Sequence, residues 1–485
     1  MKILKYNFVN RLVITPNMRI LSLTVTLLAV QSFFCGTAYA EIQIIPYPQH
    51  TSITEKVFDK SNLDKIRFVR TRTLPPEGYE LQLGKGGVVV RYHDDAGRFY
   101  ALGTLDQLAQ ADVMYCGTIK DAPRFQWRGF MLDESRHFFG TEKVKELLDL
   151  MARYKLNRFH WHLSDNQGWR VEIKAYPQLC KIGAVGCHTD RDAPARFYTQ
   201  EQIREIIAYA AERHIEIIPE IDMPGHATAF VKAFAELDGG SHTVNPANPK
   251  LYTVLETIMK ELAGLFPGRY IHIGGDEVST KGWARLPEMP EFMKSNGIVS
   301  LSDIQPYFEK RLIEIVRKTG KTVIVWDEVI GGNPDKEGTI IQWWQADHPE
   351  NLDKSLNEGY CTIVCPFEPF YLNYAQDSRC TKGPLVHKSF FNELNEVYGF
   401  PISGDPHILG VQCNLWTEQI RTSDRLDYMV FPRLIAIAEK AWTADNSLDY
   451  DSFIARLANE YSHLDSLGVF YFDFRDFDRH PEPLK

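Results

Sequence analysis

The chain has 485 residues, of which 44% are hydrophobic, 24% charged and 12% aromatic. This composition excludes a disordered segment, a collagen-like repeat and a disulfide-stapled miniprotein, and the length excludes a single small binding module. The formal net charge is −9, and no cluster of Lys and Arg occurs that would suit a phosphate backbone, so we expect no nucleic-acid partner.

Residues 1–40 are predicted to be a secretory signal peptide. They contain basic but no acidic residues, an apolar run over 20–30, and Ala38-Tyr39-Ala40 as an A-x-A cleavage site. The apolar run is too short for the roughly twenty residues that cross a bilayer, so we expect no stable membrane span. Cleavage would change the charge from −9 to 50 − 63 = −13 and leave a secreted or periplasmic protein. A lipid anchor on Cys35 is the alternative that the sequence leaves open.

The number of cysteines that follow residue 40 is odd, so at least one thiol stays unpaired. Cys180 and Cys187 would close a short loop in an oxidising compartment, but buried free thiols are an equally good interpretation. No C-x-x-C motif occurs, which argues against a structural zinc site.

Residues 41–124 are predicted to form a small α+β accessory domain. The turn Gly84-Lys85-Gly86-Gly87 separates two runs typical of strands, YELQL and VVVRY. A hairpin is favoured over a phosphate-binding loop because no helix follows the glycines directly. The later run FYALGTLDQLAQ has apolar residues at helical spacing, which predicts one helix.

Residues 125–485 alternate short apolar strands with amphipathic helices. The predicted strands are GFMLD, RFHWHL, IEIIPEID, YIHIGG, TVIVWD, TIIQWW, CTIVCP and ILGVQCNLW. Helices are predicted from Thr141, near Gln200, after His226 and near Gln305. Eight strands in this rhythm predict an α/β fold, a (β/α)8 TIM barrel that is preceded by the small domain and closed by C-terminal helices. A doubly wound sheet is the alternative.

Polar and aromatic residues follow the ends of the predicted strands, which is where barrel enzymes carry their active sites. Strand by strand they are Asp133, Arg136 and His137; His160, His162 and Asp165; Glu220, Asp222 and His226; Asp276 and Glu277; Trp326, Asp327 and Glu328; Trp343 and Trp344; Tyr371 and Asn373; Trp416 and Glu418. Indole rings beside carboxylates predict catalysis on a sugar, whose C–H faces stack on tryptophan.

Asp276 and Glu277 are neighbours at one strand end, so their side chains diverge and can address different atoms of one substrate. Glycoside hydrolysis generally uses two carboxyls that flank the scissile bond. Here Glu277 would address the glycosidic oxygen and Asp276 a group on the sugar itself. If that group is a 2-acetamido substituent, its carbonyl attacks C1 and the protein supplies no nucleophile.

Five sequence blocks resemble glycoside hydrolase family 20, the β-N-acetylhexosaminidases: WRGFMLDESRHF, FHWHLSDNQGWR, EIDMPGH, HIGGDEV and NLWTE. The resemblance covers nearly all of residues 41–485. It implies an exo-acting enzyme that removes a terminal β-linked N-acetylglucosamine or N-acetylgalactosamine from glycans or chito-oligosaccharides. The implied mechanism is retaining and substrate-assisted, passes through an oxazolinium intermediate, and needs no metal or other cofactor.

The resemblance also implies roles for single residues. Glu277 matches the general acid and base, and Asp276 matches the carboxylate that binds the acetamido N–H. Asp165 and His226 match a pair that supports the acid, and Tyr371 matches the hydroxyl that holds the acetamido oxygen. The residues that match sugar-binding positions are Arg136, Trp326, Trp344, Trp416, Glu418 and Asn373.

The chain departs from the common family pattern at two positions. Asn373 and Asn166 stand where an Asp is frequent, and an amide carries no charge. Recognition at O4 and O6 therefore stays open, and with it the preference for gluco, galacto or sulfated ends. Packing is the predicted role of Trp127, Trp161 and Trp442, whereas a packing or a functional role stays open for Trp343, Asp133, Asp327 and Glu328.

Two other functions compete with this prediction. A metal-dependent barrel hydrolase would use His160, His162, Asp165 and Asp276 as ligands, but it leaves Glu277 and the tryptophans unexplained. A non-catalytic carbohydrate-binding protein would not require the acidic pair.

Overall fold

The structure, a computed structural model, describes residues 42–380 and 391–483. The signal peptide predicted over residues 1–40 lies outside the described residues. A search of the described helices finds none that is long and apolar enough to cross a bilayer.

The first domain is a five-stranded sheet that packs against one helix. Tyr79, Leu81 and Leu83 alternate with more exposed residues and bury one face of the sheet. The pairing of Gly84 with Gly87 confirms the predicted hairpin. The elements are β1 (His50–Val57), β2 (Ile66–Arg70), β3 (Tyr79–Gly84), β4 (Gly87–Tyr92), α1 (Asp95–Gln110) and β5 (Tyr115–Asp121), and the strand order is β1-β5-β3-β4-β2.

The second domain is a closed barrel of eight parallel strands, which confirms the predicted (β/α)8 fold. The ring closes where His272 pairs with Glu220. In order around the barrel the strands are β6 (Trp127–Asp133), β7 (Arg158–His162), β8 (Glu216–Glu220), β11 (Tyr270–His272), β12 (Thr322–Trp326), β13 (Thr339–Trp343), β14 (Cys361–Val364) and β15 (Ile408–Leu415). A small hairpin, β9 (Asp238–Gly240) and β10 (Thr243–Val244), lies outside the ring.

Helices surround the barrel, and three of the four predicted ones begin at or beside the predicted residue. The helix after His226 is short, and the long helix begins at Pro249, where Asn248 accepts a hydrogen bond from the Lys250 amide and proline takes the first position. The helices are α2 (Thr141–Arg153), α3 (Gln200–Ala211), α4 (Thr228–Ala233), α5 (Pro249–Leu265), α6 (Met289–Ser295), α7 (Ile304–Lys318), α8 (Pro349–Glu358), α9 (Phe367–Phe370), α10 (Leu394–Gly399), α11 (Ser423–Val430), α12 (Arg433–Trp442) and α13 (Tyr450–Ser466).

Asp121, the last residue of β5, ties the small domain to the barrel. Its buried carboxylate accepts hydrogen bonds from Trp442 Nε1 at 2.9 Å, Lys155 Nζ at 3.0 Å and Tyr79 Oη at 2.5 Å. Lys155 lies just before β7, so this contact is at the amino-terminal ends of the barrel strands. A buried charge needs such partners. The small domain therefore leaves the opposite end of the barrel open.

The cysteines in the described part of the chain are all free, and Cys180 and Cys187 are not joined. Cys180, Cys365, Cys380 and Cys413 are buried. Of the two interpretations that the sequence left open, the structure shows free thiols.

Candidate active site

The carboxyl ends of the barrel strands bring together the ionisable residues that the sequence singled out. Asp276 and Glu277 follow β11, His226 follows β8, Asp165 follows β7 and Arg136 follows β6. Their charged groups form one connected cluster. The candidate site thus lies at the end of the barrel that is generally used for catalysis.

A strained turn presents the acidic pair. Gly274 and Gly275 have φ angles of 73° and 104°, and Glu277 itself has a φ of 51°. His226, which faces Glu277, has a φ of 48°. A non-glycine residue in this region costs about 1–3 kcal/mol, and such residues cluster at functional sites. Glycine would relieve the strain at both positions. The presence of Glu277 and His226 therefore indicates that their side chains are needed there.

The turn also packs too closely to admit a larger residue at Gly274. A Cβ atom built there would lie 1.8 Å from Asp222 Oδ1. We expect Gly274→Ala to lower the free energy of unfolding by about 3 kcal/mol or more, since overpacking adds to backbone strain. Gly320→Ala is the matched control, because Gly320 has a φ of 85° but no atom within 4 Å of its Cβ position. Urea unfolding measures both variants, and equal losses would show that close packing at Gly274 is unimportant.

His226 links Asp165 to the acidic pair. Its Nδ1 donates to Asp165 Oδ1 at 3.1 Å, and its Nε2 lies 3.5 Å from Glu277 Oε2 and 3.6 Å from Asp276 Oδ2. Arg136 Nη2 lies 2.8 Å from Asp165 Oδ2. Asp165 thereby orients the imidazole, and the imidazole contacts the group that would donate a proton.

The surroundings of His226 favour the protonated, positively charged form of its imidazole. Burial alone would lower the pKa of His226, but Asp165 and Asp276 raise it well above its usual range. The hydrogen bond from His226 lowers the pKa of Glu277, whose side chain is 62% exposed. The structure therefore favours a protonated imidazole beside an ionised Glu277. A ligand that covers Glu277 would raise its pKa, because burial favours the neutral carboxyl, and would draw the proton onto Glu277.

Asp276 and Asp222 form a pair of buried carboxyls. One oxygen of each lies within 4.8 Å of the other and of a His226 nitrogen. Burial raises the pKa of Asp222 well above its usual range, and the neighbouring Asp276 raises it further. Burial also raises the pKa of Asp276, but less far, so the pair favours a proton on Asp222 and the negative charge on Asp276. Asp276 Oδ1 is buried and has no hydrogen-bond partner among the described residues.

Three aromatic side chains, Trp344, Tyr371 and Trp416, form what we term the aromatic box. Trp344 and Tyr371 stack with ring centroids 6.1 Å apart, and Tyr371 lies 6.2 Å from Trp416. Trp326 lies 6.1 Å from Trp416 but has no exposed surface. Of the residues that the sequence assigned to sugar binding, Trp326 therefore supports the box from behind and does not face its interior.

Asp327 and Glu328 hold Trp344 in place. The Trp344 amide donates to Asp327 Oδ1 at 2.9 Å, and the indole Nε1 donates to Glu328 Oε2 at 3.0 Å. The sequence left open whether these two acids orient loops or contact substrate. The structure shows that both orient one wall of the aromatic box.

Unpaired polar atoms lie at Arg136, Glu418 and Asn373. Arg136 Nη2 is 3.8 Å from Glu418 Oε1, and the guanidinium is 4.9 Å from the Trp416 ring centroid. Arg136 Nε, Glu418 Oε2 and Asn373 Oδ1 are buried and lack a hydrogen-bond partner in the described part of the chain. Buried polar atoms are normally paired, so these three require a partner from an ordered water or from a bound ligand such as a sugar hydroxyl.

Asp133 and Asn166 have partners within the protein. Asp133 accepts hydrogen bonds from the backbone amides of Arg136 and Thr417, which gives it the structural role that the sequence left open. Asn166 accepts from the Thr228 hydroxyl at 2.6 Å and so joins the loop after β7 to the start of α4. The three tryptophans that were predicted to pack are buried, namely Trp127, Trp161 and Trp442. Trp343, for which the sequence left a packing or a functional role open, is buried as well.

The four ligands of the alternative metal site are not brought together. His160 and His162 both contact Glu220, at 2.9 and 2.6 Å, and His162 also contacts Asp165. The described residues contain three groups whose potential ligand atoms lie within 4.8 Å of one another, and none of these groups combines His160 with Asp276.

Family models match both domains of the chain. A model described as glycosyl hydrolase family 20, catalytic domain, matches residues 125–445, and one described as glycosyl hydrolase family 20, domain 2, matches residues 41–122. Together these matches cover the small domain and the whole barrel.

Curated relatives and solved structures agree with these matches. A β-hexosaminidase of Porphyromonas gingivalis is 35% identical over 82% of this chain and 55% of its own length. A β-hexosaminidase of Vibrio furnissii is 36% identical over 76% of this chain and 65% of its own. A crystal structure of a GH20 exo β-N-acetylglucosaminidase from Vibrio harveyi, in complex with N-acetylglucosamine, has a TM-score of 0.82 and 32% identity and covers 89% of this chain and 78% of that one. The chain thus spans less than two thirds of the length of these two curated relatives.

Proposed function

Since this chain belongs to glycosyl hydrolase family 20, we propose that it is an exo-acting β-N-acetylhexosaminidase. Its substrate is a terminal β-linked 2-acetamido-2-deoxy sugar on a glycan or chito-oligosaccharide. Hydrolysis proceeds with retention of configuration, and the acetamido group of the substrate is the nucleophile.

One observation carries the proposal: His226 Nε2 lies 3.5 Å from Glu277 Oε2, and the adjacent Asp276 has a buried oxygen without a hydrogen-bond partner among the described residues. An acid and a separate anion within one cluster supply the two groups that the substrate-assisted reaction needs. Burial raises the pKa of Asp222, and a carboxyl in its protonated form is a poor nucleophile. The attacking oxygen therefore comes from the sugar.

In the first step Glu277 donates its proton to the glycosidic oxygen. The C1–O bond breaks while the acetamido carbonyl oxygen forms a bond to C1, which gives an oxazolinium ion and a neutral aglycone. Asp276 accepts a hydrogen bond from the acetamido N–H and offsets the positive charge of this ion. The Tyr371 hydroxyl holds the acetamido oxygen in position.

In the second step Glu277 removes a proton from water, and the water oxygen attacks C1. The bond between C1 and the acetamido oxygen breaks, and the free sugar leaves with its original configuration. His226 supports both steps, because an imidazole held by Asp165 can share a proton with Glu277.

The opposite side of the sugar is bound by polar atoms that have no hydrogen-bond partner within the described part of the chain. Arg136 and Glu418 pair with ring hydroxyls, and Asn373 presents a neutral amide near them. These groups are largely buried, which suits a terminal unit more than the interior of a chain. We also propose that the activity is secreted or periplasmic, because residues 1–40 have the sequence pattern of a secretory signal peptide.

The proposal is tested by incubating the protein with 4-nitrophenyl β-N-acetylglucosaminide, the corresponding N-acetylgalactosaminide and a plain β-glucoside, each with and without chelator. We expect release of 4-nitrophenol from the two acetamido sugars only, and no effect of chelator. Cleavage of the β-glucoside at a similar rate would contradict substrate assistance. Loss of activity with chelator would favour the metal hydrolase, and tight binding without turnover would favour a carbohydrate-binding protein.

A further inference from the structure

The buried carboxylate of Glu220 lies at the end of β8, beneath the active site. It has no exposed surface. His162 Nδ1 donates to its Oε2 at 2.6 Å, and His160 Nε2 lies 2.9 Å from the same oxygen. Trp326 Nε1 donates to its Oε1 at 2.9 Å, and His272 Nδ1 lies 3.0 Å from that oxygen. Glu220 thereby joins side chains from three neighbouring strands.

One of these contacts continues into the catalytic cluster. His162 Nε2 donates to Asp165 Oδ2 at 3.0 Å, the same oxygen that Arg136 contacts at 2.8 Å. The other oxygen of Asp165 accepts from His226, which contacts Glu277. A continuous path of polar contacts therefore runs from Glu220 through His162, Asp165 and His226 to the group that would donate the proton.

The charge state of His162 depends on Glu220. Both nitrogens of His162 face carboxylate oxygens, which only accept hydrogen bonds, so both nitrogens must carry protons. Burial alone would lower the pKa of His162, but Glu220 and Asp165 raise it well above its usual range. Without the negative charge of Glu220 the pKa of His162 falls, and the imidazole facing Asp165 loses its positive charge.

We propose that Glu220 is a positioning residue of this reaction, which acts through His162 to hold Asp165 in the orientation that supports His226 and Glu277. The inference rests on the proposed function, because it assigns Glu220 to the proton-donating side of that mechanism. Glu220 contacts no substrate. Its effect is to keep His162 doubly protonated, so that Asp165 Oδ2 keeps a cationic imidazole beside Arg136 while Oδ1 accepts from His226 and from the Asn166 amide.

His160 provides a matched comparison. It contacts the same oxygen of Glu220 and is equally buried, but its second nitrogen accepts from Gln412 Nε2 at 3.0 Å. That contact leads across the barrel to β15 and away from Asp165. A role of Glu220 in barrel packing would involve His160 and His162 alike, whereas a role in catalysis involves His162 alone.

The experiment compares Glu220→Gln with His160→Gln on two substrates, 4-nitrophenyl β-N-acetylglucosaminide and N,N′-diacetylchitobiose. The disaccharide has the poorer leaving group and needs the acid more. For Glu220→Gln we expect kcat on the disaccharide to fall by up to about 100-fold, kcat on the aryl glycoside to fall less, and KM to change little. For His160→Gln we expect the ratio of the two kcat values to match the wild type. An unchanged ratio in Glu220→Gln would overturn the proposal.

Thermal unfolding of each variant separates these effects from a loss of folding. If Glu220→Gln does not fold, His162→Gln carries the same test, since it breaks the path at the next residue, and an unchanged ratio of kcat values in that variant overturns the proposal equally. Failure of the proposed function is recognised separately, because the wild-type protein would then cleave neither substrate.

Discussion

Replacing Glu277 with glutamine is expected to abolish most of the activity on natural substrates. A glutamine keeps the shape of the side chain but cannot donate a proton to the glycosidic oxygen. We expect kcat on N,N′-diacetylchitobiose to fall by about 100- to 10,000-fold, the contribution that a general acid commonly makes. The loss should be smaller with 4-nitrophenyl β-N-acetylglucosaminide, because 4-nitrophenolate leaves without full protonation.

Steady-state kinetics on the two substrates checks this prediction. Glu291→Gln is a suitable control, since Glu291 is an exposed glutamate of α6 and its replacement removes the same charge. Wild-type rates are expected in the control. Equal losses on both substrates in Glu277→Gln would contradict a proton-donating role, and unchanged rates would exclude Glu277 from the reaction.

Replacing Asp276 with asparagine is expected to produce a large loss of a different kind. The amide oxygen still accepts a hydrogen bond from the acetamido N–H, but it no longer offsets the charge of the oxazolinium ion. We expect kcat to fall by about 100- to 1,000-fold, as for the loss of a preorganised electrostatic partner. Because the acetamido oxygen bonds to C1 as the aglycone leaves, whichever aglycone it is, the factor should be similar for the aryl glycoside and the disaccharide.

The same pair of substrates measures this effect. Asp353→Asn, at an exposed aspartate of α8, is the control for loss of a carboxylate and should leave kcat unchanged. A dependence on the leaving group as strong as that of Glu277→Gln would mean that Asp276 acts on proton transfer and not on the acetamido group.

Much of the architecture can be predicted from the sequence because it depends on local patterns. The eight barrel strands are short apolar runs between amphipathic helices, and each such run forms a strand where it was predicted. The cluster around Asp276 and Glu277 follows from the rule that strand ends in a barrel meet at one face. The start of α5 was harder to predict, because Asn248, which caps this helix, lies many residues beyond His226.

Contacts between strands that are distant in sequence could not be predicted in this way. Trp326 was expected to face the sugar, but the barrel register aims its indole at Glu220 and buries it. The link between Glu328 and the Trp344 indole likewise depends on how β12 and β13 are aligned. Glu220 stood in the sequence only as one more polar residue at a strand end, and its role in the path to Asp165 is visible only once four strands are in register.

The central claim is that the acetamido oxygen of the substrate attacks C1. The most direct measurement is kcat/KM for 4-nitrophenyl glycosides whose N-acyl group is acetyl, fluoroacetyl, difluoroacetyl or trifluoroacetyl. Each fluorine withdraws electrons from the carbonyl oxygen and makes it a weaker nucleophile. We predict a stepwise fall in kcat/KM along this series. Rates independent of fluorination would contradict the account and would require a nucleophile from the protein or from water.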